Sequence, residues 1–233
     1  MMLKKLAICS TLVFCMALLS GTARADNIPI VNASFETLGA PLSVSCGTGC
    51  AYNLGPIPGW TTTAGAGSWM PGSFFSAIPD GSLVGFVNAS NSLTQTLTGN
   101  SVLANSVYTM SVYVGDRTDN VNGTYTLSLD TILGGVTSTL CTVSGNASSI
   151  PHGTFQLEGC TYASGGSGLP SGDLFLKFTA TTGGQLDVDN VSLTVQSPTG
   201  VPEPSTILML GIGMLLLVAS FPAGRKRVLS LTV

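Results

Sequence analysis

Between residues 26 and 196, apolar and polar residues alternate in short runs, and no helical period of useful length appears. The runs are rich in Thr, Val, Ser and Tyr and are separated by Gly and Asn, which favour turns. We predict strands at Leu83–Val87, Ser92–Leu97, Tyr108–Val114, Tyr125–Leu129, Ser138–Val143, Thr154–Tyr162, Leu174–Phe178 and Gln185–Val195. Residues 39–80, rich in Gly, Pro and Ser, predict long loops with one or two short strands. The pattern predicts an all-β fold, an antiparallel β-sandwich.

The N-terminal end differs in composition and is typical of a secretory signal peptide. Lys4 and Lys5 precede the apolar run Leu6–Leu19, and Ala23-Arg24-Ala25 provides a cleavage site of the small-x-small type. We therefore predict a signal peptide with its helix over residues 1–25, and a mature chain that begins at Asp26.

The C-terminal end has three parts in a fixed order. Val201-Pro202-Glu203-Pro204 predicts an extended, protease-accessible stretch, because proline disfavours a helix. The uncharged run 207–221 spans roughly 22 Å as a helix, which is short against a bilayer core of about 30 Å. Arg225-Lys226-Arg227 is expected to stay on the cytoplasmic side. Residues 197–206 are then a linker and 207–233 a hydrophobic helix with a basic tail.

This tripartite tail resembles the PEP-CTERM sorting signal of bacterial envelope and exopolysaccharide-associated proteins. The resemblance implies an exported protein whose tail is recognised by an exosortase, a membrane protease that removes the hydrophobic part. The alternative is an ordinary membrane anchor on a Pro-rich stalk, in which 207–221 would stay in the membrane.

The net charge of the exported part limits the classes of molecule that can bind to it. Residues 26–200 keep only Arg117 and Lys177 as basic residues against ten acidic ones, which gives a net charge of −8. Nucleic acid and anionic lipid are poor partners for such an acidic surface, and we expect no nucleic-acid partner. Divalent cations and neutral glycans are compatible with it.

Four cysteines remain after export into an oxidising compartment, and four allow three pairings. We favour Cys46–Cys50, which would close a small glycine-containing loop, and Cys141–Cys160, which would link two neighbouring strands around a Ser-rich turn. The longer loop would contribute about 3 kcal/mol in the chain-entropy model. Zinc is the competing interpretation, although His152 is the single histidine and the spacing is not finger-like.

The last predicted strand contains a slip in its period. Leu186 and Val188 are in phase with each other, but Val191 and Leu193 are shifted by one residue. A strand has a period of two, so the slip would move the core face to solvent. A β-bulge near Asp189-Asn190 would absorb it and redirect an acidic side chain.

The two ends of this region resemble the first and last strands of galactose-binding-like jelly rolls, including carbohydrate-binding modules. The opening is Asn32-Ala33-Ser34-Phe35-Glu36 and the closing is Asp189-Asn190-Val191-Ser192-Leu193. The resemblance implies that Glu36 and Asp189 share a structural calcium with backbone carbonyls. The alternative is a pair of edge carboxylates bonded to backbone amides. Sugar-stacking aromatics of such modules would correspond to Trp60, Trp69, Phe74 and Phe75, unless these cap the core.

Catalytic motifs are weak. His152 follows a proline in a predicted turn, and no nucleophile elbow is present. The pairs Asp187/Asp189 and Asp116/Asp119 are more typical of solvated turns or metal ligands than of a glycosidase. We therefore expect no enzyme, but a glycan-binding surface module that contacts exopolysaccharide or a cell-surface glycan. The alternative is a structural matrix or envelope protein without a discrete sugar site.

Overall fold

The computed structural model describes residues 25–119, 121, 123–197, 210–211 and 213–214. The chain divides into two units, and one of them, Arg24–Pro198, contains the strands. The four described residues of the other unit are helical. Within the described residues, no helix is long and apolar enough to cross a membrane. The predicted signal helix, the Pro-Glu-Pro linker and the basic tail lie outside the described residues.

The unit Arg24–Pro198 is built from antiparallel strands and two short 3-10 turns, Gly72–Phe74 and Ala147–Ser149. The strands are β1 Ala25–Asn27, β2 Val44–Gly47, β3 Cys50–Leu54, β4 Thr61–Thr62, β5 Ala66–Pro71, β6 Val84–Asn88, β7 Ser92–Ser101, β8 Val107–Asp116, β9 Gly123–Leu133, β10 Val136–Asn146, β11 Thr154–Ala163, β12 Asp173–Gly183 and β13 Gln185–Gln196. The predicted all-β antiparallel sandwich is confirmed.

Two sheets form the sandwich. The larger sheet has the order β11-β8-β13-β6-β5-β3-β2, and β1 also pairs with β13. The smaller sheet has the order β10-β9-β12-β7-β4. Apolar residues from both inner faces are buried between them, such as Leu127 and Leu176 from the smaller sheet and Val112 and Val188 from the larger. Burial of each such side chain contributes about 1.5–3 kcal/mol.

Residues 39–80 contain more regular structure than predicted, since β2, β3 and β5 extend the larger sheet. The prediction missed β5 because Ala66, Gly67 and Ser68 are all buried but too small to mark an apolar face. Gly67 is required there: a Cβ atom would lie 1.9 Å from the carbonyl oxygen of Asn53 on β3.

Both favoured disulfides are present, Cys46–Cys50 and Cys141–Cys160. The second one does not link paired strands as predicted. Cys141 lies on β10, an edge of the smaller sheet, and Cys160 lies on β11, an edge of the larger sheet. The turn Ala147–Ser149 carries the chain from one sheet to the other, so this disulfide closes one side of the sandwich.

The predicted bulge in β13 is also present. Asp189 pairs with Tyr113 and Ser192 with Ser111, so β13 contains one extra residue. Asn190 takes up a positive φ of 47° at this point. The bulge lets the apolar residues on both sides of it face the sandwich core.

Candidate functional site

The face of the larger sheet that points away from the sandwich core carries a second apolar cluster. Its buried members are Cys50, Trp69, Phe75, Val84 and Phe86, and Tyr52, Phe74, Ile78 and Phe155 pack against them. Side chains alternate along a strand, so those of Asp187 and Asp189 belong to this outer face. Asp187 pairs with Phe86 on one side and with Gly115 on the other.

Asp187 is a fully buried carboxyl group with 0% exposure. Neither of its oxygens has a hydrogen-bond partner among the described residues. Burial raises the pKa of Asp187 from 3.8 to about 8, the charge of Arg117 opposes the shift, and the charges of Asp119 and Asp116 add to it. At neutral pH the group therefore holds its proton and is a donor, as carboxyls in apolar catalytic sites are. Of the two alternatives that the sequence offered for Asp187, a solvated turn or a metal ligand, the solvated turn is wrong.

Four aromatic residues on this face form what we call the aromatic layer, Trp69, Phe74, Phe75 and Phe155. Part of the layer shields the Asp187 carboxyl. Phe75 and Phe155 occupy the space above Gly115, where a Cβ atom would lie 2.8 Å from either ring. Their ring centroids are 4.4 Å apart, and Phe75 is 5.8 Å from Trp69. The layer depends on a glycine directly across the ladder from Asp187.

Arg117 lies against the same layer. Its guanidinium carbon is 4.4 Å from the centroid of the Trp69 ring and 5.0 Å from that of Phe74. The guanidinium also forms an ion pair with Asp119 at 2.7 Å and donates a hydrogen bond to Gln185. These contacts fix one cation close to the buried acid.

A pocket of about 250 Å³ opens next to Asp187. It is lined by Cys46, Tyr52, Leu54, Trp69, Phe86, Asn88, Arg117 and Gln185. Phe86 is the ladder partner of Asp187, and Gln185 precedes Asp187 by two residues on the same face of β13. The Trp69 wall is held by a hydrogen bond from its Nε1 to Cys50 Sγ at 3.2 Å. The pocket thus combines aromatic walls with a guanidinium and two amides.

The structure brings three of the four predicted ligand-binding aromatics together, Trp69, Phe74 and Phe75. Trp60 lies elsewhere, between the two sheets, with ring centroids 5.4 Å from Phe35 and 5.5 Å from Phe178. Its Nε1 donates to the carbonyl oxygen of Asn32 at 3.2 Å. Trp60 is therefore a core residue with no free ring face for a sugar.

Sequence reasoning did not assign Arg117, Gln185 or Phe86 to a site. Arg117 carried one usable signal, because it is the single arginine of residues 26–200. The sequence draws attention to Asp187, but Phe75, whose ring lies over its ladder partner Gly115, stands more than a hundred positions earlier in the chain.

Glu36 and Asp189, the predicted calcium ligands, both accept hydrogen bonds from backbone amides. Glu36 Oε1 accepts from the N–H groups of Ser82 at 2.8 Å and Leu83 at 2.6 Å. Asp189 accepts from Asp80 N at 2.9 Å and Asn190 N at 2.7 Å. This is the arrangement that the sequence left open as the alternative to calcium.

The two carboxylates still interact with each other. Burial raises the pKa of Asp189 to about 7, the bonds from Asp80 and Asn190 oppose the shift, and the charges of Asp80 and Glu36 add to it. No cluster of three or more His, Cys, Asp or Glu side chains suited to a metal occurs in the described part of the chain. A cation would fit here only with backbone oxygens as its remaining ligands, so calcium stays a prediction.

His152 is exposed, as predicted, but it is not isolated. Its Nδ1 is 2.8 Å from Oδ2 of Asp116, a fully buried carboxylate at the end of β8. The solvated turn, one of the two alternatives that the sequence offered, is therefore wrong for Asp116 as well.

Two family models match the sequence. One, described as HpiC1-like (HpiC1 cyclase), covers residues 26–194. The other, the PEP-CTERM protein-sorting motif, covers residues 200–226 and confirms the sorting signal predicted from the tail. The protein is therefore exported, with a tail for exosortase processing at the cell envelope. A search of curated proteins finds no significant relative.

Among solved structures, an apo cyclase from Fischerella sp. is 23% identical with a TM-score of 0.58, over 75% of this chain and 98% of that one. A cyclase from Fischerella sp. TAU in complex with 4-(1H-indol-3-yl)butan-2-one is 21% identical with a TM-score of 0.57, over 75% and 100%. The CBM22-1 xylan-binding domain of Paenibacillus barcinonensis Xyn10C is 14% identical with a TM-score of 0.47, over 77% and 100%. At these identities the cyclases show that the fold is shared.

Proposed function

Because the chain belongs to the HpiC1-like cyclase family over residues 26–194, we propose that its exported domain binds a small organic molecule in the pocket beside Asp187. The ligand has a planar apolar ring and a hydrogen-bond acceptor, and Asp187 is the acid that donates a proton to it. This departs from the expectation of a non-catalytic glycan-binding module.

The observation that carries the proposal is the state of Asp187. A carboxyl group that is fully buried, lacks a hydrogen-bond partner among the described residues and has a pKa of about 8 is protonated at neutral pH. Burying such a group without a partner costs free energy. A ligand acceptor that took its proton or its hydrogen bond would offset that cost, as in enzymes that keep a neutral acid in an apolar site.

The pocket walls support a ring-bearing ligand. Tyr52, Trp69 and Phe86 provide aromatic surface, and Arg117 covers one part of the Trp69 ring. A volume of about 250 Å³ suits a molecule of one or two fused rings. The ketone bound by the Fischerella sp. TAU cyclase combines an indole ring with a carbonyl acceptor, and is therefore a suitable probe.

A cyclisation run by such a site needs no redox partner. Asp187 would give its proton to the ligand, a carbon–carbon bond would form within the ligand, and the carboxylate would recover a proton from the cyclised product. Protonation of the ligand creates a cationic intermediate, and the aromatic layer excludes water from it.

A neutral glycan in the same pocket is the second candidate. The rim residues Asn88, Gln185 and Arg117 are suited to sugar hydroxyls, and export to the cell envelope would bring the domain to exopolysaccharide. Trp69 and Phe86 are only 3% and 2% exposed, so a sugar or a planar ring could stack fully on either of them only after the aromatic layer moved.

The test uses the mature protein with 4-(1H-indol-3-yl)butan-2-one and with xylo-oligosaccharide, each titrated by calorimetry. We expect the indole ketone to bind, and Asp187→Asn to weaken binding about tenfold, the loss of about 1.4 kcal/mol. Asp173→Asn, in the smaller sheet, is the matched control and should bind as the native protein does. Binding of the oligosaccharide alone would favour the glycan function, and binding of neither would favour a structural matrix protein.

A further inference from the structure

Residues 72–83, which we call the lid segment, connect β5 to β6. The segment begins with the 3-10 turn Gly72–Phe74, and Gly72 has a positive φ of 58° that favours glycine. After this turn the lid segment contains no regular structure. It contributes Phe74 and Phe75 to the aromatic layer, whereas Trp69 and Phe155 come from strands.

The lid segment supplies one of the two rings that lie over the ladder partner of Asp187. Phe75 fills the space over Gly115, the ladder partner of Asp187. Phe74 covers Arg117, which lines the pocket. Asp187 itself is not among the residues that line the pocket. Because Asp187 has 0% exposure and Phe75 lies over its ladder partner, a ligand reaches the carboxyl only when part of this cover moves.

Hydrogen bonds at several points hold the lid segment in place, the first of them from Thr118 N to the carbonyl oxygen of Phe74 at 3.3 Å. At its start, the backbone N–H and the hydroxyl of Ser76 both donate to the carbonyl oxygen of Gly153, at 2.8 and 2.9 Å. Asp80 N donates to Asp189. At its end, the Glu36 carboxylate accepts from the amides of Ser82 and Leu83 and from the Ser82 hydroxyl, the last at 3.3 Å.

Glu36 is the one of these acceptors that is exposed to solvent. It reaches the lid segment from a distant part of the chain, the residue after the buried Phe35. Gly81 allows its close approach, because a Cβ atom there would lie 2.2 Å from the Glu36 carboxyl carbon. Charge-assisted hydrogen bonds to two successive amides are stronger than neutral ones.

From this geometry we infer that the lid segment opens and closes over Asp187, and that Glu36 is the positioning residue that keeps it closed. The role of this motion in admitting a ligand rests on the proposed function. The motion itself can be detected without a ligand. Glu36 acts through Phe75 and does not touch the ligand. Opening admits the ligand to Asp187, and closing excludes water.

The test compares the mature protein with Glu36→Gln and with the matched control Glu158→Gln, an acidic residue on β11 away from the lid segment. Hydrogen exchange followed by mass spectrometry should show the amides of residues 75–83 exchanging about tenfold faster in Glu36→Gln, with the amides of β9 and β12 unchanged. Acrylamide should quench Trp69 more strongly, because it loses cover from Phe74 and Phe75, while Trp60 in the sandwich core reports that the fold is intact.

Unchanged exchange in residues 75–83 together with unchanged quenching in a folded Glu36→Gln protein would overturn the inference. Phe75→Ala provides a second variant in case Glu36→Gln does not fold. With Glu36 intact it should leave exchange at Ser82 and Leu83 unchanged and speed the association of 4-(1H-indol-3-yl)butan-2-one several-fold; an unchanged rate contradicts a lid. Failure of the native protein to bind the indole ketone would instead refute the proposed function and leave the exchange result standing.

Discussion

Gly115 and Asp187 are directly opposite each other in the ladder between β8 and β13, and the space that a side chain would fill at Gly115 is occupied by Phe75 and Phe155. The absence of a side chain on one strand thus allows the aromatic cover over the carboxyl on the next. The cover excludes water from Asp187, and this burial raises the pKa of its carboxyl so that it stays protonated.

Gly115→Ala is expected to destabilise the protein by about 1–3 kcal/mol, because the new methyl group overlaps two rings that strands and the lid segment hold in place. Urea unfolding of the two proteins measures the difference. Gly165→Ala is the control, since a Cβ atom there would meet its nearest atom at 3.6 Å, an ordinary contact. Equal losses in both variants would contradict the tight fit at Gly115.

Asp187→Asn is expected to change how stability depends on pH. The native carboxyl has a pKa of about 8 against 3.8 in the unfolded chain, so its contribution is fully present below about pH 4 and is lost as pH rises through about 8. At about 1.4 kcal/mol per unit, the loss is on the order of 5 kcal/mol. The amide does not titrate, so the variant should gain stability relative to the native protein between pH 5 and pH 9.

Thermal unfolding at several pH values measures this gain. Asp26→Asn, at an exposed carboxyl, is the control. Parallel pH profiles for the native protein and Asp187→Asn would show that the native carboxyl is ionised throughout.

The sequence predicts structural features that depend on neighbouring residues better than features that depend on residues distant in the chain. The bulge at Asp189 and Asn190 followed from a break in the period of one strand, and the sorting signal from three adjacent segments. The buried state of Asp187 could not be predicted, because alternation along β13 places it on the face that normally meets solvent. Phe75, whose ring lies over the neighbouring Gly115, comes from a segment whose composition indicates an ordinary loop.

Arg117→Met is expected to raise the pKa of Asp187 further, because the guanidinium is the charge that opposes the shift. The variant also loses the stacking on Trp69 and the ion pair with Asp119, which together contribute about 1–2 kcal/mol. Carbon-detected NMR titration of the aspartate carboxyls measures the first effect and urea unfolding the second. Lys177→Met, on the smaller sheet, is the control, and a lowered pKa in Arg117→Met would contradict the assigned role of the charge.

Replacing Cys141 and Cys160 by serine is expected to cost about 3 kcal/mol, because the disulfide closes a loop that spans the edges of both sheets. The Cys46–Cys50 disulfide closes a loop with a sequence separation of only 4, so replacing both of its cysteines by serine should cost less stability. The larger effect of this replacement should be on ligand binding, since Cys50 accepts the hydrogen bond of Trp69 in the pocket wall. Unfolding and calorimetry on both variants separate the two outcomes.

Calcium is expected to raise the melting temperature, because a divalent cation would relieve the repulsion between Glu36 and Asp189 that contributes to the raised pKa of Asp189. Protons compete for Asp189, whose pKa is about 7, so the effect should be larger at pH 8 than at pH 5.5. A cation at a hundredfold excess over its dissociation constant stabilises by about 2.7 kcal/mol. Asp189→Asn should abolish the response and Asp173→Asn should keep it. A melting temperature that is the same in excess calcium and in excess chelator would contradict a calcium site at these two carboxylates.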